Sequence, residues 1–132
     1  MTVRGSCHCG GVRIEVPAAP EWAASCNCSI CRRTGALVSY YRPAEVRVEG
    51  ETATYITGDR FIRFHHCPEC ACHTHWSANP EALAGELPEE VRSALDDRMG
   101  VNARLLDGFE LRDGRCLMDG RELEVRFFDN AG

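Results

Sequence analysis

The stretch SCNCSICRRTGA, Ser25–Ala36, places three cysteines within six residues, at Cys26, Cys28 and Cys31. Thiolates at such spacing are common zinc ligands, and a chain rich in them often folds around its metal sites. A closed structural zinc site needs four protein ligands, so this stretch is one ligand short. The first question that the sequence raises is therefore whether a fourth ligand comes from elsewhere.

The remaining cysteines supply a complete set of four ligands without this stretch. Cys7 and Cys9 form a C-x-C pair followed by two glycines, and Cys67 and Cys70 form a C-x-x-C pair. The glycines allow the sharp bend that lets both thiolates of a C-x-C pair reach one ion. We therefore predict a structural zinc site formed by Cys7, Cys9, Cys67 and Cys70, which joins the beginning of the chain to its middle.

The stretch Ser25–Ala36 then allows two interpretations. With an open fourth position, its three cysteines form a catalytic zinc site, because such sites keep that position for water or substrate. With Cys72 or a histidine as fourth ligand, they form a second structural site. Whether Cys72 or a histidine lies close to these three cysteines decides between the two.

Four histidines and one further cysteine carry weaker signals. The histidines crowd around the third cysteine group, and each taken singly is expected to be a surface residue at a strand end rather than a ligand; they are His65, His66, His73 and His75. Cys116 stands apart from the three cysteine groups and is expected to be a thiol without a role.

Composition limits the class of protein. The 132 residues, 44% hydrophobic and 27% charged, suit one globular domain spanning residues 1–132. No apolar run approaches the roughly 20 residues of a membrane helix, and the formal charge of −5 disfavours nucleic-acid binding. The N-terminal residues lack the pattern of a secretory signal, so the nine cysteines favour metal binding in the reducing cytoplasm over disulfides.

Alternating apolar and polar residues predict a mainly β protein with the cysteine groups at strand ends. The predicted strands cover residues 11–16, 37–41, 45–48, 52–57, 60–66, 101–106 and 121–128. One short helix is predicted within residues 87–100, where Val91, Ala94 and Leu95 recur at helical spacing and Pro88 suits the first turn.

Four segments in the same order resemble the glutathione-dependent formaldehyde-activating enzyme family, whose domain also occurs in centromere protein V. They are GSCHCGGVRIEV, SCNCSICRRTGA, HHCPECACHTHW and GVNARLLDG, which run from Gly5 to about Gly108. The resemblance implies an Mss4-like β-tent fold with two zinc ions per chain. It also implies that Cys7, Cys9, Cys67 and Cys70 hold the structural zinc, and that Cys26, Cys28 and Cys31 hold the catalytic zinc.

The chain departs from the family pattern at two places. Asn27 stands where a histidine is common, and Ala71 followed by Cys72 replaces the glycine that commonly follows the C-x-x-C pair. The second departure adds a thiol close to the predicted sites.

Two functions of different class follow. In the first, which the resemblance implies, the protein is a zinc-dependent carbon–sulfur lyase of the S-(hydroxymethyl)glutathione synthase type. It acts on adducts of a small thiol such as glutathione with formaldehyde or a related carbonyl. Arg32, Arg33 and Arg60 can pair with the carboxylates of a tripeptide thiol, although surface arginines usually face water. In the second, both zinc ions are structural and the protein is a protein-binding module without catalysis.

Overall fold

The computed structural model describes residues 2–129, which form short strands joined by tight turns. The strands are β1 (Val3–Ser6), β2 (Arg13–Val16), β3 (Trp22–Cys26), β4 (Val38–Tyr41), β5 (Arg47–Glu49), β6 (Ala53–Ile56), β7 (Ile62–His66), β8 (His73–Ala78), β9 (Met99–Asn102), β10 (Phe109–Arg112), β11 (Arg115–Met118), β12 (Arg121–Glu122) and β13 (Glu124–Phe128). The mainly β class predicted from the sequence is confirmed.

The strands form three sheets. The largest has seven strands in the order β13-β3-β4-β9-β8-β7-β6, and the two others have three each, β1-β2-β5 and β10-β11-β12. Neighbours in all three sheets are antiparallel, except that β13 runs parallel to β3. The cysteine groups lie where β1, β3 and β7 end, as the sequence predicted.

Two apolar cores lie on the large sheet. The first packs side chains of all three sheets together, including Ile14, Val101 and Met118. The second covers the part of the large sheet that carries Phe64 and Trp76, and Leu95 closes it from a helix. Burying such side chains contributes roughly 1.5–3 kcal/mol each, so the two cores hold the strands that carry the cysteines.

Within the described residues the structure contains three short α-helices where one was predicted: α1 (Ser29–Thr34), α2 (Pro80–Ala84) and α3 (Glu89–Leu95). The predicted helix is α3. The other two are too short for a helical repeat to be visible in the sequence, and local capping defines them instead. The Cys28 sulfur accepts a hydrogen bond from the backbone of Cys31 at the start of α1, and the Asn79 side chain accepts one from Glu81 at the start of α2.

The predicted strand over residues 101–106 is wrong in its second half. Strand β9 ends at Asn102, whose side chain accepts a hydrogen bond from the Arg104 backbone and starts a 3-10 turn over Ala103–Leu105. The predicted strand over 121–128 is two strands, interrupted at Leu123. Within residues 2–129 no helix is long and apolar enough to cross a membrane.

Candidate metal centres and adjoining clefts

Four cysteines from two distant turns meet in one cluster, which we call the four-cysteine cluster: Cys7, Cys9, Cys67 and Cys70. Their sulfur atoms all lie within 4.8 Å of one another. The Cys7 and Cys9 sulfurs are 3.7 Å apart, and those of Cys9 and Cys67 are 3.6 Å apart. A tetrahedral zinc with bonds of about 2.3 Å to sulfur has sulfur–sulfur edges of about 3.8 Å, so the cluster fits this ion.

Backbone N–H groups surround the four-cysteine cluster. Val12 donates to the Cys7 sulfur at 3.3 Å, Gly11 to that of Cys9 at 3.4 Å and Glu69 to that of Cys67 at 3.4 Å. Backbone N–H groups of Cys72 and Cys9 lower the pKa of the Cys70 thiol to about 5. These donors stabilise the thiolate form, which is the form that binds metal.

The three cysteines of the opening stretch form a second group, the three-cysteine cluster: Cys26, Cys28 and Cys31. Cys26 ends β3, and Cys28 caps α1 while Cys31 lies in its first turn, so the strand-to-helix turn brings the sulfurs within 4.8 Å of one another. The backbone N–H of Cys28 donates to the Cys26 sulfur at 3.4 Å. Among the described residues, no histidine, carboxylate or further thiol joins this group.

The three-cysteine cluster could hold a metal ion. Burial, together with the neighbouring Cys28 sulfur, raises the pKa of the Cys31 thiol. Three thiolates so close together repel one another, and a metal ion relieves that repulsion. All three cysteines are half-buried, so the cluster remains accessible to a small molecule.

Cys72 lies beside the four-cysteine cluster. It packs with Cys70 against the buried Cys7 and Cys67, and its sulfur accepts a hydrogen bond from the backbone of His8. The structure therefore does not bring Cys72 to Cys26, Cys28 and Cys31. Cys116 lies on β11, half-buried against the first core.

His66 ends β7 and His73 begins β8, as predicted for strand-end residues, whereas His65 and His75 lie inside these strands. His75 is buried, and its ring stacks on that of His65 with centroids 4.0 Å apart. Hydroxyl groups of Thr52 and Ser77 each lie 2.8 Å from a ring nitrogen of His65. Burial lowers the pKa of His75 to about 3 and that of His65 to about 4, so both rings are neutral at pH 7.

Two clefts reach the three-cysteine cluster from different sides. The first, which we call the aromatic cleft, has a volume of about 680 Å³ and is lined by all three cysteines and by apolar side chains. Its apolar walls are Ile30, Tyr40, Tyr55, Ile62, Phe64 and Trp76. The second, which we call the arginine cleft, has a volume of about 480 Å³. Its lining includes Cys26, Cys31, Arg32, Arg104, Phe127 and Phe128.

The protein that carries these two clusters is similar to known proteins in sequence and in structure. The sequence model of the family described as glutathione-dependent formaldehyde-activating enzyme matches residues 2–95, which is most of the chain. The chain belongs to this family. A comparison with curated proteins finds no match. Among solved structures, two chains match, and one is a crystal structure of a Rhodobacter sphaeroides protein, a structural-genomics target. This chain and the Rhodobacter sphaeroides protein are 28% identical in sequence and superpose with a TM-score of 0.66, over 93% of this chain and 99% of that chain.

The sequence of this glutathione-dependent formaldehyde-activating family member suggested three arginines as partners for substrate carboxylates. The structure places these three arginines in different surroundings. Arg32 lines the arginine cleft. Arg33 points back along α1, where it donates to the Ser29 hydroxyl at 2.9 Å, and Arg60 lies 3.8 Å from Glu81. Only Arg32 of these three therefore lies at a cleft beside the cluster.

Three residues at the clefts were not identified from the sequence. Arg104 reaches the arginine cleft from the 3-10 turn after β9, and its side chain donates to the Gly35 carbonyl at 2.8 Å. Tyr40 and Trp76 stand side by side in the aromatic cleft, with ring centroids 6.0 Å apart. Arg104 and Trp76 lie within two of the family-like segments, but nothing in the spacing of residues in those segments marks either side chain as part of a site.

Proposed function

We propose that this family member is a zinc-dependent enzyme that makes or breaks a carbon–sulfur bond between a small thiol and formaldehyde or a related carbonyl. The observation that carries the proposal is the three-cysteine cluster. It has three sulfur ligands at zinc-binding separation and opens onto two clefts. A site with three protein ligands leaves the fourth position for substrate, as catalytic zinc sites do.

The two clusters have different proposed roles. The four-cysteine cluster supplies all four ligands of a structural zinc, and the three-cysteine cluster supplies those of a catalytic zinc. When bound there, zinc holds a substrate thiol in its thiolate form beside the carbonyl carbon. The protein would then bind two zinc ions within one domain that spans residues 1–132.

The reaction needs no oxidant or reductant. In the synthetic direction the thiol sulfur forms a bond to the carbonyl carbon, the carbon–oxygen π bond breaks, and the thiol proton ends on the carbonyl oxygen. The lyase direction reverses these steps. Tyr40 lines the cleft, and burial raises its pKa, so its phenol stays protonated at neutral pH and can donate a hydrogen bond to that oxygen.

The arginine cleft supports a thiol that carries carboxylates, as glutathione does. Arg32 and Arg104 line this cleft together with Cys26 and Cys31, and the same lining includes Asp129, whose carboxylate accepts a hydrogen bond from the Asn27 side chain. Guanidinium groups bind carboxylates through paired, charge-assisted hydrogen bonds. The nine cysteines, none of which forms a disulfide, suit a reducing compartment such as the cytoplasm, where such thiols are abundant.

Replacing Cys28 by serine tests the function. A serine keeps an oxygen acceptor at the N-terminus of α1, so the helix is expected to form. We expect bound zinc to fall from about two ions per chain to about one, and thiol-dependent turnover of formaldehyde to disappear. Metal analysis of the purified protein and a turnover assay with glutathione measure the two effects.

The matched control is Cys72→Ser, because Cys72 lies beside the other cluster and is assigned to neither metal. This variant should keep both zinc ions and its turnover. Full activity of the Cys28→Ser variant, with only one zinc bound, would exclude the three-cysteine cluster as the active site.

A further inference from the structure

The aromatic cleft has walls suited to an apolar group. The Trp76 ring packs over Gly100, where an added Cβ would come within 2.1 Å of the indole nitrogen. Tyr40 meets Trp76 edge to face and is itself covered by Trp22, whose ring centroid lies 5.7 Å away. Tyr55 closes the far wall with more than half of its surface exposed. Such rings bind a further apolar or aromatic group well.

The same cleft is poorly suited to the charged ends of a tripeptide thiol. Among the described residues that line it, the thiols and the tyrosine phenols aside, the only ionisable side chain is that of Asp59. The Asp59 carboxylate accepts hydrogen bonds from the Thr57 hydroxyl at 2.9 Å and from the Phe61 backbone at 3.0 Å, so it holds its own turn. A substrate carboxylate placed here would meet this carboxylate, and the Arg98 guanidinium, whose central carbon lies 5.2 Å from the Tyr40 ring centroid, is not part of the described lining.

The two clefts therefore suit different parts of one substrate. Cys26 and Cys31 line both clefts, whereas Cys28 lines only the aromatic cleft. A thiol anchored by Arg32 and Arg104 would place its sulfur at the cluster and its bound carbon in the aromatic cleft. That cleft, at about 680 Å³, is of the size that binds multi-atom organic ligands, and a one-carbon group would leave most of it filled with water.

We propose that the carbon partner handled at the three-cysteine cluster carries an apolar group of aromatic or branched aliphatic size. The preferred adduct then joins a carboxylate-bearing thiol to a larger aldehyde, rather than to formaldehyde. This inference rests on the proposed function for the chemistry of the bond. Cleavage of such an adduct returns the electron pair of the carbon–sulfur bond to sulfur, the oxygen forms the carbonyl π bond, and the hydroxyl proton passes to the released thiolate, so the products are the thiol and the aldehyde.

Binding of two stable thioethers tests the inference without requiring turnover. S-benzylglutathione and S-methylglutathione share the thiol part and differ only in the group that would enter the aromatic cleft. We expect the zinc-loaded protein to bind the benzyl compound about 10-fold more tightly or better, as measured by titration calorimetry, because a phenyl ring is removed from water. Equal affinities would overturn the inference.

A pair of variants locates the preference. Tyr55→Ala removes an exposed wall of the cleft and should reduce the preference for the benzyl compound at least about 3-fold. Leu111→Ala is the matched control, because Leu111 is equally exposed, at 58% against 57% for Tyr55, and lies on β10 outside both clefts. A preference that Tyr55→Ala leaves unchanged would place the benzyl group elsewhere and overturn the inference.

The outcomes separate this inference from the proposed function. A protein that turns over the formaldehyde adduct but binds both thioethers equally retains the function and loses the inference. A protein that shows the benzyl preference in the aromatic cleft but has no turnover retains the binding specificity and loses the catalytic role.

Discussion

At the scale of single residues, Gly100 determines where the wall of the aromatic cleft stands. It lies in the middle of β9, all of which is buried, and pairs with Tyr40 on one side and Trp76 on the other. A side chain at this position would occupy the space of the Trp76 indole. The shape of the cleft beside the cysteines thus depends on a glycine far from them in the sequence.

Gly100→Ala is expected to destabilise the protein by about 1–3 kcal/mol, because the new methyl group displaces a packed indole ring. Urea unfolding of the zinc-loaded protein measures the change. The control is Gly58→Ala, where an added Cβ meets nothing within 4 Å, and which should be close to neutral. Equal unfolding free energies for Gly100→Ala and the wild type would show that the indole has room to move.

At the scale of elements, the turn between β7 and β8 contains one departure from the family pattern. Ala71 follows the C-x-x-C pair with a φ of 65°, in the left-handed region that glycine adopts without steric cost. The glycine common at this point in the family pattern suits that conformation. Here the backbone takes the same conformation with alanine, and the Cys72 backbone N–H still reaches the Cys70 sulfur.

Ala71→Gly is therefore expected to stabilise the zinc-loaded protein by about 0.5–1 kcal/mol, since relief of left-handed strain exceeds the entropy cost of glycine. Ala53→Gly, in the regular strand β6, should instead destabilise it by a similar amount. Urea unfolding midpoints compare the two. Destabilisation by both variants would mean that Ala71 is not strained.

The elements also show which features were accessible from the sequence. The grouping of the cysteines was predictable because C-x-C and C-x-x-C pairs bring two sulfur atoms together within a few residues. Once the pairs are identified, few cysteines remain that could complete each cluster. Strand β8 was missed because HTHWSA lacks alternation: it has a bulge near His73, and Thr74, His75 and Trp76 are all buried. The cleft residues Tyr40 and Trp76 meet only through pairing of β4, β9 and β8, which no local pattern encodes.

At the scale of the whole molecule, the two clusters are expected to affect stability differently. The four-cysteine cluster joins the turn after β1 to the turn after β7, and the Cys9 and Cys67 sulfurs that meet there are 58 residues apart in sequence. The three-cysteine cluster joins residues only a few positions apart. A metal that closes a long loop constrains the unfolded chain more than one that closes a short loop.

Cys9→Ser should therefore lower the free energy of unfolding by about 3 kcal/mol or more, and Cys31→Ser by about 1 kcal/mol or less. Cys9 is exposed, so the loss reflects metal binding rather than packing. Urea unfolding in the presence of zinc, with metal content measured in parallel, provides the comparison. Equal losses would contradict the structural role of the four-cysteine cluster.

The parallel pairing of β13 with β3 has a consequence for biosynthesis. Phe128 pairs with Cys26, and the Asn27 side chain donates to Asp129 at 2.6 Å across a separation of 102 residues. While the ribosome extends the chain, the cysteines after β3 emerge early, but their neighbouring strand follows about a hundred residues later. The turn that carries Cys26, Cys28 and Cys31 therefore gains its neighbouring strand only after residues 124–128 have been synthesised, although the three cysteines themselves are made by residue 31.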